Sequence, residues 1–264
     1  MSRTTLVAAS AALLVVLGTL TACDPSADPA ASASSAAPAP AGSAADSPAA
    51  APSGKAVPAP SQNTGAGATD GVPASAWTAS NGVPMAAQYH WGSLAAAAKA
   101  VSNPKFEFEQ LCLTPRDPSN DLADWKGPAA QATVNSGRNV ADWQVQQTIV
   151  HFPGTSSGGA QMAHALFRGL ADELNACGKS AKGATVKVTS TGGDAGNSDL
   201  AATVTVPESG GGSYTLHQYL SLTGRTVTEL ALWSDHPTHP WSAPADTAVL
   251  KSLEAPLCSA FKDC

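Results

Sequence analysis

Tyr214-Thr215-Leu216-His217-Gln218-Tyr219-Leu220-Ser221-Leu222-Thr223-Gly224-Arg225-Thr226-Val227-Thr228-Glu229-Leu230-Ala231-Leu232-Trp233-Ser234 is the stretch that decides the fold. Two runs rich in Leu, Val, Thr and aromatic residues flank Gly224-Arg225, and such runs form strands. Glycine in the first place of a two-residue loop is what a type II′ hairpin turn prefers. That loop fixes the register: Thr223 faces Thr226, Leu222 faces Val227, Tyr219 faces Leu230 and His217 faces Leu232. One face then carries Tyr214, Leu216, Leu220, Leu222, Val227, Ala231 and Trp233, with Gln218 and Glu229 as exceptions. It is apolar enough to receive helices. The opposite face carries Thr215, His217, Tyr219, Ser221, Thr228, Leu230 and Leu232, a mixed set.

Working outward, two more strands precede the hairpin, at about Ala184–Thr189 and Leu200–Val206. Gly192-Gly193-Asp194 and Gly210-Gly211-Gly212 supply the turns. Four consecutive strands make a meander. A further strand is expected over Asp142–Phe152, where Trp143, Val145 and Ile149 share one face. Pro153-Gly154 breaks it, and Thr155, Ser156 and Ser157 offer hydroxyls to cap a helix. In that helix Met162, Leu166, Leu170 and Leu174 recur every fourth residue, and Gly178 supplies a stop. Phe106 and Phe108 alternate with polar residues and predict a strand over Phe106–Leu113. A short Ala-rich helix is expected near Ser93–Val101, a loop over Thr114–Pro128, and a closing helix over Pro244–Phe261. The expected class is α+β: one mostly antiparallel sheet of about five or six strands, packed by two or three helices.

The chain of 264 residues is not all foldable. Residues 24–76 are Ala, Pro, Ser and Gly with almost no large apolar side chain, so they should stay disordered and semi-extended, as a stalk. Before them Arg3 precedes an apolar run from about Leu6, ending in Leu20-Thr21-Ala22-Cys23. That ending resembles the lipobox of bacterial lipoproteins. The resemblance implies cleavage before Cys23, a diacylglycerol on its thiol, and a protein hanging from the outer face of the cell membrane. The run is too short for a durable transmembrane helix of about 20 residues. The organisation read from the sequence is therefore a signal peptide over 1–22, an anchor and linker over 23–76, and a domain over 77–264.

That domain holds all six tryptophans and all six histidines, with 12 Lys and Arg against 16 Asp and Glu, a net of −4. It carries no basic patch of the kind a phosphate backbone demands, which argues against nucleic acid. Cys112, Cys177, Cys258 and Cys264 form an even set in an exported domain, which reads as two disulfides. Four cysteines allow three pairings; Cys112–Cys177 with Cys258–Cys264 is preferred because the second pair is local. No C-x-x-C or zinc-type spacing occurs, and no cofactor is implied.

The order of parts resembles a known family. A strand ending Ile149-Val150-His151-Phe152-Pro153, a helix ending Leu174-Asn175-Ala176-Cys177-Gly178, a meander, and a last helix carrying Leu257-Cys258 are similar to the PknH-like extracellular sensor domain of actinobacteria. The resemblance covers about Met85 to Phe261. It implies a ligand-binding cleft beside the sheet and no catalysis.

Several motifs invite chemistry. Gly154-Thr155-Ser156-Ser157-Gly158 fits the G-x-S-x-G of a hydrolase elbow, with Asp199 or Asp235 and His236 or His239 following in chain order. A meander is the wrong sheet for that motif, and helix capping explains the same residues. Asp235-His236-Pro237-Thr238-His239 places an Asp and two His within five residues, without a visible third fixed ligand. Gly193–Asp199 has calcium-like oxygens without the calcium-loop spacing. Trp143 and Trp233 read as core. The site expected for a ligand is the mixed hairpin face, with His217, Tyr219, Thr228 and Leu230 lining a partly apolar cleft. The function expected is a lipid-anchored binding or sensor domain without catalysis, its partner an unidentified small molecule or cell-wall component. The alternatives are a surface serine hydrolase using Ser156 and a structural cell-wall lipoprotein.

Overall fold

The hairpin register is the one expected. In the computed structural model β6 (Ser213–Thr223) and β7 (Thr226–Ser234) pair antiparallel, with Thr223 opposite Thr226 and His217 opposite Leu232. Gly224 takes φ +58°, which a side chain would resist. The structure describes residues 71–118, 121–137, 139–194 and 196–262. The signal, Cys23 and the stalk up to residue 70 lie outside the described residues, as does Cys264.

Seven strands form one antiparallel sheet in the order β1-β2-β3-β7-β6-β5-β4. Besides the hairpin these are β1 (Lys99–Ala100), β2 (Ala129–Asn135), β3 (Gln144–His151), β4 (Thr185–Gly192) and β5 (Asn197–Pro207). The fold is α+β. It has more strands than expected because β1 and β2 are added at one edge. Ala129-Ala130-Gln131-Ala132 has weak strand propensity and no clean alternation. Pairing with β3 makes it a strand.

Phe106–Leu113 is not a strand but a short helix, α3 (Glu107–Cys112). Phe106 stands just before the helix, where its N–H donates to the Glu109 carboxylate (2.7 Å). Phe108 lies in the first turn, so both rings are buried without strand alternation. α4 (Ser156–Ser180) begins at Thr155, whose hydroxyl accepts from the Gly158 N–H (3.3 Å). It runs two residues past Gly178. A Cβ at Gly178 would sit 3.0 Å from the Ala184 carbonyl oxygen, so that glycine serves close approach of the chain and does not stop the helix.

The helices occupy both faces of the sheet. α3 and α4 cover the face of Leu216, Leu220, Leu222, Val227, Ala231 and Trp233, as their apolar character demands. α5 (Asp246–Phe261) covers the other face with Val249, Leu250, Leu253 and Leu257. Beside it lie Val72, Ala76, Trp77, Val83, Met85, Trp91 and Leu94, all folded into this core. Val72 and Ala76 fall within the stretch assigned to the linker, yet both are fully buried. α1 (Ala86–Tyr89) and α2 (Leu94–Ala97) are single turns within the same layer. No helix among the described residues is long and apolar enough to cross a membrane.

Candidate functional site

The Cys112–Cys177 disulfide, between residues 65 apart, joins the end of α3 to the last turns of α4. The chain leaving α3 must therefore run along the outer side of α4. Thr114 and Ser180 hydroxyls meet at 2.8 Å, and the Asp117 N–H donates to Glu173 Oε1 at 2.8 Å. Arg116 is buried; its Nε donates to Glu109 Oε1 (2.7 Å) and its Nη2 to the Pro104 carbonyl (2.9 Å). Removing either partner of such a buried pair would leave an uncompensated charge, so Arg116 and Glu109 pin the loop. Further on, Trp125 packs against Phe152 with ring centroids 4.7 Å apart.

Two adjoining hollows result, both lined by Ala165. The first, about 280 Å³, lies between Trp125, Leu122, Phe152, Met162 and Leu166, with Asp121 and Asp124 at its rim. Met162 belongs to the apolar stripe of α4, yet 51% of it is exposed because it lines this hollow and not the core. The second, about 600 Å³, is open and polar, with Thr114, Asp117, Arg168, Asp172 and Glu173 among its lining residues. Together they form a groove with an aromatic end and a charged end. A depression of about 420 Å³ between α5 and β4–β5 has no aromatic wall.

Glu173 is the unusual group in the groove. Only 7% of it is exposed, and its Oε2 has no hydrogen-bond partner among the described residues. Burial pushes its carboxyl up from the usual range; the Asp117 N–H and Arg116 oppose that shift, and Glu109 adds to it. A buried acceptor without a partner is costly in a folded domain, and it marks a place where a ligand group would be accommodated.

No family model matches the chain, and no curated protein does. The resemblance to the PknH-like sensor domain therefore rests on the order of elements.

The residues expected to line a cleft are not open. Tyr219, Thr228 and Leu230 are buried, because α5 and the segment from Val72 to Leu94 cover their face. Tyr219 Oη donates to Asp246 Oδ1 (3.0 Å), and the Thr228 hydroxyl donates to the Thr148 carbonyl (3.0 Å). His217 stacks on Trp241, with centroids 3.6 Å apart, and burial pushes its imidazole down to about 4. These contacts hold the second core together. The face was mixed in sequence because its hydroxyls and imidazole have internal partners, which composition does not reveal.

The hydrolase set is not assembled. Ser156 opens α4 beside the β6–β7 turn, where Arg225 Nη1 donates to the Gly154 carbonyl (2.6 Å). Asp235 and His236 follow Ser234 at the far end of β7, nine residues of strand or ~30 Å away. His239 edges against Tyr89. Asp199 lies toward α5 on the other face, lining a depression together with Glu254. The Asp235 loop does gain a third neighbour: ligating atoms of Glu208, Asp235 and His236 lie within 4.8 Å of one another. His239 takes no part in that group. In the Gly193–Asp199 turn, Asn197 donates to Asp194 (2.9 Å), as a hairpin loop requires. Trp143 and Trp233 are buried. Cys258 is disulfide-bonded.

The groove was missed in the sequence because its walls are distant in the chain. The signals that pointed to it were the exposed-looking Asp117, Asp121 and Asp124, read only as a loop, and the Cys112–Cys177 pairing. That pairing, taken literally, places the loop on α4.

Proposed function

We propose that this chain is a lipid-anchored lipoprotein of the cell surface whose domain binds a small molecule or cell-wall component without chemically changing it. The single observation that carries the reading is the α4 groove, an aromatic hollow adjoining, at Ala165, a polar one lined by a buried, half-partnered Glu173. Concave, partly apolar surfaces with a few convergent polar groups are what ligand sites require. The groove is also preorganised, since the disulfide, the Thr114–Ser180 contact and the Asp117–Glu173 bond fix its loop wall before any ligand arrives. Anchoring rests on Leu20-Thr21-Ala22-Cys23 and the stalk composition. A sensor-type role rests on the sequence resemblance to the PknH-like domain.

Two measurements test the parts separately. Cys23→Ala should move the protein from the detergent phase to the aqueous phase; equal partitioning of both forms would refute the anchor. Soluble cell-wall fragments titrated onto the mature chain should change tryptophan fluorescence through Trp125, and the change should be absent in Trp125→Phe. A binding signal that survives that substitution unchanged would place the site elsewhere.

A further inference from the structure

The two ends of the groove differ in chemistry, and their spacing restricts what can lie along it. Aspartates 121 and 124 rim the aromatic hollow, and Asp117, Asp172 and Glu173 line the other end; Arg168 is the one cation among these lining residues. Five acidic side chains against one basic one make the groove attractive to cations. Arg116 offsets one of these charges: its Nε and Nη2 are bonded to Glu109 and Pro104, but its Nη1 has no partner among the described residues and its charge acts on Glu173. The unpartnered Oε2 of Glu173 adds a buried acceptor at the charged end, and a donor-bearing cation is the group that satisfies it.

Position along α4 sets the length. Leu166 lines the aromatic hollow and Glu173 the charged end, seven residues apart on one helix, or ~10 Å at 1.5 Å per residue. Resting on the groove being the binding site, we propose that its ligand is an elongated amphiphilic cation. Its ammonium is held by Asp172 and Glu173, and its apolar group sits in the Trp125 hollow about 10 Å away. A short peptide with a free amino terminus and an apolar side chain at its third or fourth residue has these dimensions, at ~3.3 Å per extended residue. In the complex the ammonium donates to Glu173 Oε2, which is covered in the free protein and must turn toward the hollow, while Asp117 N–H keeps Oε1. The cation also draws the Glu173 carboxyl toward its ionised form.

The test is calorimetry of the mature chain with the amidated tetrapeptide Gly-Ser-Gly-Phe, its amino terminus free, and with the same peptide acetylated. The free amine should bind at least tenfold more tightly, and raising salt from about 50 to about 500 mM should weaken it, since exposed carboxylates are screened. Asp172→Asn, an exposed position that leaves the core untouched, and Glu173→Gln, which keeps the acceptor for Asp117 N–H, should each erase most of that preference. Equal affinity for the two peptides, or a preference unchanged in both variants, overturns the proposal. If neither peptide binds but neutral cell-wall fragments still perturb Trp125, the groove stands and the cationic ligand is wrong. If nothing perturbs Trp125, the reading of the groove falls with it.

Discussion

Replacing Cys112 and Cys177 together by alanine tests how the fold and the groove depend on one bond. The two cysteines are 65 residues apart and both are completely buried. Losing a closure of that length costs ~4 kcal/mol on the chain-entropy model, through the greater freedom of the unfolded chain. For a domain of this size 1 kcal/mol corresponds to about 2–4 °C, so the melting temperature should fall by roughly 8–16 °C. The sheet and α4 should survive, because Leu166, Leu170 and Leu174 remain buried against β6 and β7. The loop from Leu113 to Trp125 loses its covalent tie and keeps the Thr114, Arg116 and Asp117 hydrogen bonds and the packing of Leu122 and Trp125. Amide exchange in that loop should accelerate more than in β6 or β7. Thermal unfolding by circular dichroism, with hydrogen exchange on both proteins, is the assay. A melting temperature within about 2 °C of wild type would refute the reasoning, and so would exchange that rises uniformly over the domain.

Other outcomes follow from particular residues. Burial holds the Glu229 carboxyl up at about 8 and those of Glu107 and Glu254 at about 7. The unfolded chain releases these protons near the ordinary 4.5, so the native state holds more protons and stability falls as pH rises from about 5 to 8. Completely buried Glu229 carries the largest single share of that fall, on the order of 3 kcal/mol, and Glu229→Gln should lessen the slope of the denaturant midpoint across this range. His217 acts the other way: held neutral down to about 4, it removes stability as pH drops below the ordinary 6.5. The three carboxyls outweigh the one imidazole, so maximum stability should lie below about pH 5, and a maximum at pH 8 or above would contradict these burials. Leu253→Ala, in the core between α5 and the sheet, should cost about 2–5 kcal/mol in urea unfolding. Thr155→Ala should cost ~1 kcal/mol through the lost cap. A fluorophosphonate probe should not label Ser156; labelling that disappears in Ser156→Ala would make the protein a hydrolase.

What the sequence made legible was local. The Gly224-Arg225 loop set a register that holds for the whole β6–β7 pair, and the four-residue stripe of α4 was visible because helix periodicity is strong over 25 residues. Phe106–Leu113 misled, since two alternating phenylalanines at a helix start look like a strand when Glu109 capping is not seen. β2 was invisible because alanines carry little strand propensity, and its existence depends on β3. Placing α5 needed tertiary information: both faces of the hairpin are apolar enough to need cover, and which helix covers which is decided by the connections. That the candidate ligand face is covered went unread for the same reason. Tyr219 and His217 look like site residues in sequence, but Asp246, Trp241 and Thr203 are their partners, each distant in the chain or across a strand.

The central claim is that ligands enter the groove between α4 and the loop after α3. Nuclear magnetic resonance titration of the isotope-labelled mature chain with soluble cell-wall fragments tests it most directly. The account predicts shifts concentrated in residues 114–125 and 162–176, with little change in β6, β7 or α5. Shifts clustered instead on α5 or in the 235–241 loop, with the groove silent, would contradict it.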